Sequence, residues 1–106
     1  EDDIDAIGAH YGAMDWVKAT QEFDADLAAA GEAVHSASCD RCHSEAGTNP
    51  DDEASMLGGQ QMGYLRTTFK QYAAGEREQP KSMKSKLDEL GEDEIEALVH
   101  YYASQQ

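Results

Sequence analysis

Cys39-Asp40-Arg41-Cys42-His43 is the stretch on which the reading of this chain turns. Two thiols one helical turn apart, followed at once by an imidazole, form Cys-x-x-Cys-His, the attachment sequence of a c-type haem. The thiols add across the two haem vinyl groups, and His43 offers an imidazole nitrogen to the iron from one face. Rival uses of the motif lack support. A structural zinc needs four ligands of Cys and His type, and the chain has no second Cys pair. A thioredoxin-like redox pair needs a βαβ surround, and no strand pattern appears. Cys39, Cys42 and His43 are thus expected to hold one covalent haem c and its iron.

Upstream of the motif, the stretch LAAAGEAVHSAS from Leu27 has strong helical propensity and runs straight into Cys39. Leu27, Gly31, Val34 and His35 share a face, and Gly31, costly inside a helix, implies that another helix crosses there closely. Downstream, SEAGTNPDDEAS is rich in turn formers and reads as a polar loop along one haem edge. A backbone carbonyl of this loop, at Pro50 or a neighbour, is expected to accept the free N–H of the ligating imidazole. Residues 60–75 form a further helix, with Leu65, Phe69 and Tyr72 on one side and Gly75 as its natural stop. EREQPKSMKSKLDEL, with Pro80, reads as a loop; GEDEIEALVHYYASQQ reads as a closing helix with Ile95, Leu98, Val99 and Tyr102 on one face.

The start of the chain, EDDIDAIGAHYGAM, spaces Ile4, Ile7, Tyr11 and Met14 as an amphipathic helix with acidic residues at its N-terminus. It echoes the closing helix at Glu1/Glu92, Asp2/Asp93, Ile4/Ile95, Ala6/Ala97 and Tyr11/Tyr102. Its apolar stripe is expected to pack on the body of the domain, on a second copy or on a partner subunit. Residues 15–26 have no clean period and read as a connector anchored by Trp16, Val17 and Phe23. The expected division is an N-terminal helix and connector over 1–23 and a haem domain over 24–106. No strand signal appears, so the class is all-α.

A chain of 106 residues is one small domain with little core of its own, which a large apolar cofactor would enlarge. Both cysteines fall in the motif, so no disulfide framework remains. Haem attachment of this kind belongs to the periplasm or an equivalent exported compartment. With no basic and apolar leader at its start, the sequence reads as a mature, exported form. No apolar run approaches a membrane span. Twenty-two acidic residues against eight basic give a net charge of -14, which excludes nucleic acid as a partner. Four of the eight basic residues, Arg77, Lys81, Lys84 and Lys86, fall within ten positions around Met83. That island reads either as local charge balance or as a docking face for an acidic patch on a redox partner.

Besides His43, the candidate iron ligands are Met14, Met56, Met62, Met83, His10, His35 and His100. Met62 sits on a predicted helix as core filling, and Met14 precedes the haem helix. Met56 lies close behind His43, beside a turn at Gly58-Gly59. Met83, expected in a loop between two helices, is placed to reach the opposite haem face and ranks first.

Over residues 24–104 the chain resembles a class I cytochrome c, and within that class a single domain of the cytochrome c4 family. Beyond the haem motif, the resemblance rests on Leu57-Gly58-Gly59-Gln60, then Tyr64-Leu65, Phe69, Tyr72, Gly75 and Arg77, Met83 four residues before Leu87, and Tyr101-Tyr102-Ala103-Ser104. It implies three to four core helices around one haem, iron ligation by Met83, and close crossing of the helices at Gly31 and at Leu98 to Tyr102. It departs at Ser44, where the family often has glycine, and in the approach to the Gly-Gln motif. Cytochrome c4 proteins carry two haem domains, and residues 1–14 look like the last helix of a separated first one. Similar domains are haem subunits of flavocytochrome c sulfide dehydrogenases.

The expected function is one-electron transfer through a haem ligated by His43 and Met83, with donor and acceptor proteins as partners. Two rivals stay open: a haem subunit fed by a flavoprotein, and a small haem enzyme with an open iron position.

Overall fold

Gly31 organises the architecture, because a side chain there would have no room. A Cβ at this position would lie 2.6 Å from the carbonyl carbon of Ala97 and 2.7 Å from the Tyr101 Cβ. The computed structural model describes residues 1–106 and contains six helices and no strand. Helix α2 (Ala25–Ser38) and helix α6 (Glu92–Ala103) cross at Gly31, as its place in the sequence implies. Asp24 caps α2 by accepting from the backbone N–H groups of Asp26 (2.9 Å) and Leu27 (3.1 Å), which satisfies two otherwise unpaired donors. Glu92, Asp93 and Glu94 open α6, where the helix dipole favours negative charge.

Helix α4 (Met62–Ala73) lies against α6, with Leu65 buried and Arg66 forming a two-pronged ion pair with Glu96 at 2.7 and 3.0 Å. It stops at Gly75, whose φ of +74° suits a residue without Cβ. Leu65, Leu98, Val99 and Tyr102 form the buried core, with Val34, Cys39, Leu57, Met62, Phe69, Leu90 and Tyr101 packed around it.

One expected loop is a helix. Residues 81–88 form α5 (Lys81–Asp88), so Met83 sits in a first helical turn rather than in a loop. Proline and polarity suggest irregular structure there. Pro80 instead stands at the N-cap, where its lost N–H costs nothing, and its carbonyl accepts from Lys84 N–H at 3.0 Å. The i,i+4 spacing then pairs Lys84 with Asp88 at 2.7 Å and puts Met83 and Leu87, both half-buried, on one side.

The N-terminal helix α1 (Asp2–Gly12) forms where its pattern predicts, yet none of its residues is buried. Ile4, Ile7, Tyr11 and Met14 are all more than half exposed, so the stripe does not pack on the body. Only its C-terminal end approaches the body, where Tyr11 and Met14 line an open groove with Thr48, Pro50 and Met56. The connector is tied down by hydrogen bonds more than by its apolar residues. Val17 is 83% exposed. The Trp16 indole N–H donates to Gly58 O (2.7 Å), Ala19 N–H to Gly59 O (2.8 Å) and the Gln21 amide to Gln60 O (2.8 Å). No helix is long and apolar enough to cross a membrane.

Candidate functional site

The end of α2 shapes the motif. Cys39 is its C-cap, and the N–H groups of both Cys39 (2.8 Å) and Asp40 (2.9 Å) return to His35 O. Cys42 N–H and His43 N–H then return to Cys39 O at 3.2 and 3.0 Å, closing one more turn. The two thiols and the imidazole thus project from a single compact turn. Both thiols are free, Cys39 half-buried and Cys42 exposed. Burial pushes the Cys39 thiol up, an effect partly offset by a hydrogen bond with Tyr102.

Beneath the motif lies a buried polar pair. His35 is fully buried, and its Nδ1 shares a hydrogen bond of 2.8 Å with the Tyr102 hydroxyl. Burial lowers the His35 pKa and raises that of Tyr102, so both are neutral here. The pair binds α2 to α6 directly behind Cys39, with the Tyr101 and Tyr102 rings packed on the imidazole.

His43 is oriented from the following loop. Its Nδ1–H donates to the carbonyl of Ser55 at 3.1 Å, which fixes the tautomer and leaves Nε2 as the free lone pair. Pro50, the acceptor suggested by the sequence, is used otherwise: it opens a 3₁₀ turn over Pro50–Asp52, and its carbonyl faces Glu53 N–H at 3.5 Å. The chain reverses through Glu53, at φ 57°, and presents Ser55 to the ring. Between His43 and that turn lies α3 (Ser44–Gly47), helical in its hydrogen bonds but with Glu45 and Ala46 at φ 55° and 60°.

The other candidate ligands separate by environment. His100 has both ring nitrogens engaged, Nδ1 accepting from Asp24 N–H (2.9 Å) and Nε2 facing Glu96 (3.2 Å). His35 is held by Tyr102, and His10 lies on exposed α1. Met62 packs against the core and Met14 is 56% exposed. Met56 and Met83 are both half-buried, Met56 lining an open groove with Tyr11, Trp16 and Pro50 and Met83 in the first turn of α5.

The residues fit a haem. No group of three or more His, Cys, Asp and Glu side chains is assembled to hold a metal ion on its own, while two thiols and an imidazole project together from one turn. Only thirteen residues are buried, and the surface of 7338 Å² exceeds the roughly 5,800 Å² expected for a folded chain of this mass. Exposed α1 adds to that surface, and the core cluster has only four fully packed side chains, which a large flat apolar group would enlarge.

Ser55 and Asp52 carry no signal at the level of sequence, since a backbone carbonyl has no residue signature and an acidic residue in a turn looks like solvated surface. The His35–Tyr102 pair is legible there only as two residues on helical faces.

An all-α fold with Cys-x-x-Cys-His at the end of one of two crossing helices defines a cytochrome c domain. The chain belongs to the family described as Cytochrome C oxidase, cbb3-type, subunit III, whose model matches residues 26–101. This is a haem-based electron-carrying module with redox proteins as partners. No curated protein matches the chain, so cytochrome c4 and the flavocytochrome subunits stand as resemblances of motif alone.

Proposed function

We propose that this protein is an exported, periplasmic one-electron carrier rather than an enzyme, with His43 and Met83 as the two axial ligands of its haem. The observation that carries the reading is the His43 ring, held through Nδ1 by Ser55 O with Nε2 left to face iron, on the same turn as Cys39 and Cys42. When bound, haem c supplies an iron that changes oxidation state by one electron. Cys39 and Cys42 tether it, and His43 fixes the ligand field from one side. The Met83 thioether favours the ferrous form and raises the potential relative to two nitrogen ligands. With His43 and Met83 both holding the iron, no position would be left for a substrate, which would separate a carrier from a haem enzyme.

The domain begins at about residue 24, and residues 1–14 offer their exposed stripe to a second copy or a partner subunit. Lys81, Lys84 and Lys86 are exposed on α5 beside Met83. Lys84 is tied to Asp88, which leaves Lys81 and Lys86 as free cations for an acidic partner surface. Replacing the three lysines by Gln slows electron exchange with that partner at low salt and flattens its salt dependence; equal rates at low salt would remove the docking role.

Met83→Ala tests the ligand set. Covalent haem remains, the sulfur-to-iron charge-transfer band of the oxidised protein disappears, the potential falls and added ligands bind iron. Met56→Leu and Met62→Leu leave the band intact. Persistence of the band in Met83→Ala, with loss in a Met56 or Met62 variant, would reassign the ligand.

A further inference from the structure

Ser44, the residue immediately after the haem histidine, gives both its backbone N–H (2.8 Å) and its hydroxyl (2.6 Å) to one oxygen of Asp52. Asn49 closes the group: its side-chain amide lies 3.3 Å from Ser44 Oγ and 3.5 Å from the other Asp52 oxygen, and its own oxygen accepts from Asp51 N–H at 3.0 Å. All three polar side chains are half-buried. Hydrogen bonds to a carboxylate are among the stronger ones, and here one comes from the peptide N–H that follows His43 and a second from the Ser44 hydroxyl, both to the same Asp52 oxygen.

The loop needs such a clamp. Between His43 and Ser55 three non-glycine residues, Glu45, Ala46 and Glu53, have left-handed backbone conformations, at φ 55°, 60° and 57°. This conformation is unfavourable for a residue with a Cβ, and such residues persist where their surroundings over-determine them. Asp52 lies inside this strained loop, one residue before Glu53 and three before Ser55. It grips the start of the loop at Ser44, while the end of the loop grips the imidazole through Ser55 O.

We infer that Asp52 is a positioning residue for the axial histidine: by clamping Ser44 it holds the 44–55 loop so that Ser55 O accepts from His43 Nδ1–H, and so fixes the orientation and electron donation of the ring. The inference rests on His43 being an iron ligand. A ring that donates Nδ1–H to a carbonyl is a better electron donor and stabilises ferric iron. Loosening the clamp therefore raises the reduction potential. Removing a negative charge near the iron also raises it, so potential alone does not separate position from charge.

The test uses the haem-loaded chain and three variants. Nuclear magnetic resonance of the parent reports the His43 ring signals and the exchange rate of its Nδ1–H. In Asp52→Ala that exchange speeds at least tenfold, the ring signals shift and the potential rises. Asp52→Asn removes the charge but keeps an acceptor oxygen, and it restores most of the slow exchange and the parent ring signals. Ser44→Ala, which deletes only the hydroxyl arm, gives a smaller change in the same direction and carries the test if Asp52→Ala fails to fold. Equal potential shifts in Asp52→Ala and Asp52→Asn, with parent-like ring signals and exchange in both, would reduce Asp52 to a charge and overturn the positioning role. Parent-like ring signals and exchange in Ser44→Ala would overturn the clamp. A parent protein whose His43 ring shows no iron-induced shift would instead overturn the ligand assignment on which the inference stands.

Discussion

Helices α1 and α6 share an acidic, amphipathic pattern, with Glu1/Glu92, Asp2/Asp93, Ile4/Ile95, Ala6/Ala97 and Tyr11/Tyr102 in common, and have opposite fates. In register, the buried positions of α6, Ala97, Leu98, Val99, Tyr102 and Ala103, correspond to Ala6, Ile7, Gly8, Tyr11 and Gly12 of α1, all apolar or small apart from the tyrosine common to both. Yet α1 buries nothing, while Leu98, Val99 and Ala103 have no exposed surface at all. The difference lies in the partner. α6 meets a helix with a glycine at the crossing and a buried histidine ready for its tyrosine; α1 meets solvent. An amphipathic pattern specifies a helix and a face but not what covers that face.

The sharpest way to break the comparison is to fill the crossing. Gly31→Leu drives side-chain atoms into the Ala97 backbone and the Tyr101 Cβ, neither of which can retreat without moving α6. Overpacking at such a site costs about 3 kcal/mol, a fall in Tm of more than about 10 °C by calorimetry. A Tm within a few degrees of the parent would show that α6 has another way to pack. Gly8→Leu, at open space on α1, is the matched control and leaves Tm unchanged.

Tyr102→Phe asks how much of the α2–α6 contact is polar. It keeps the ring and leaves the buried His35 Nδ1 without its 2.8 Å partner, a loss of about 1–3 kcal/mol. Thermal unfolding measures it, and an unchanged Tm would mean that His35 turns to another partner. Tyr11→Phe, in the corresponding place on α1, has no effect.

The smallest expected change comes from deleting residues 1–14 while keeping Trp16. Since α1 buries none of its residues, Tm stays within about 4 °C of the parent. A large fall would mean that α1 docks on the body in solution. A change from dimer to monomer at constant Tm would identify the stripe as an interface with a second copy.

The same contrast separates what residue order makes legible from what only packing decides. The haem motif, the all-α class, the crossing at Gly31 and the stop at Gly75 are legible because each follows a local rule: a fixed spacing, a period, a missing Cβ. The α5 helix is hidden by Pro80 and by a run of lysines and serines whose helical pairing, Lys84 with Asp88 and Met83 beside Leu87, becomes visible only once a helix is assumed. The apolar stripe of α1 points to packing on the body, a second copy or a partner, and a pattern alone does not choose among them; on the body, none of its residues is buried. The sequence places the acceptor for His43 in the right loop, at Pro50 or a neighbour, whereas it is Ser55, five residues further on. The left-handed turn that swings Ser55 inward comes from Glu53, and glutamate is seldom found in that conformation.

The central claim is that Cys39 and Cys42 carry one haem. The most direct measurement is the intact mass, under denaturing conditions, of the protein exported from cells with haem-attachment machinery. The predicted result is a chain heavier by one haem, with no free thiol, whose haem is no longer held covalently when both cysteines are replaced by serine. A chain at its polypeptide mass with two titratable thiols would contradict the account.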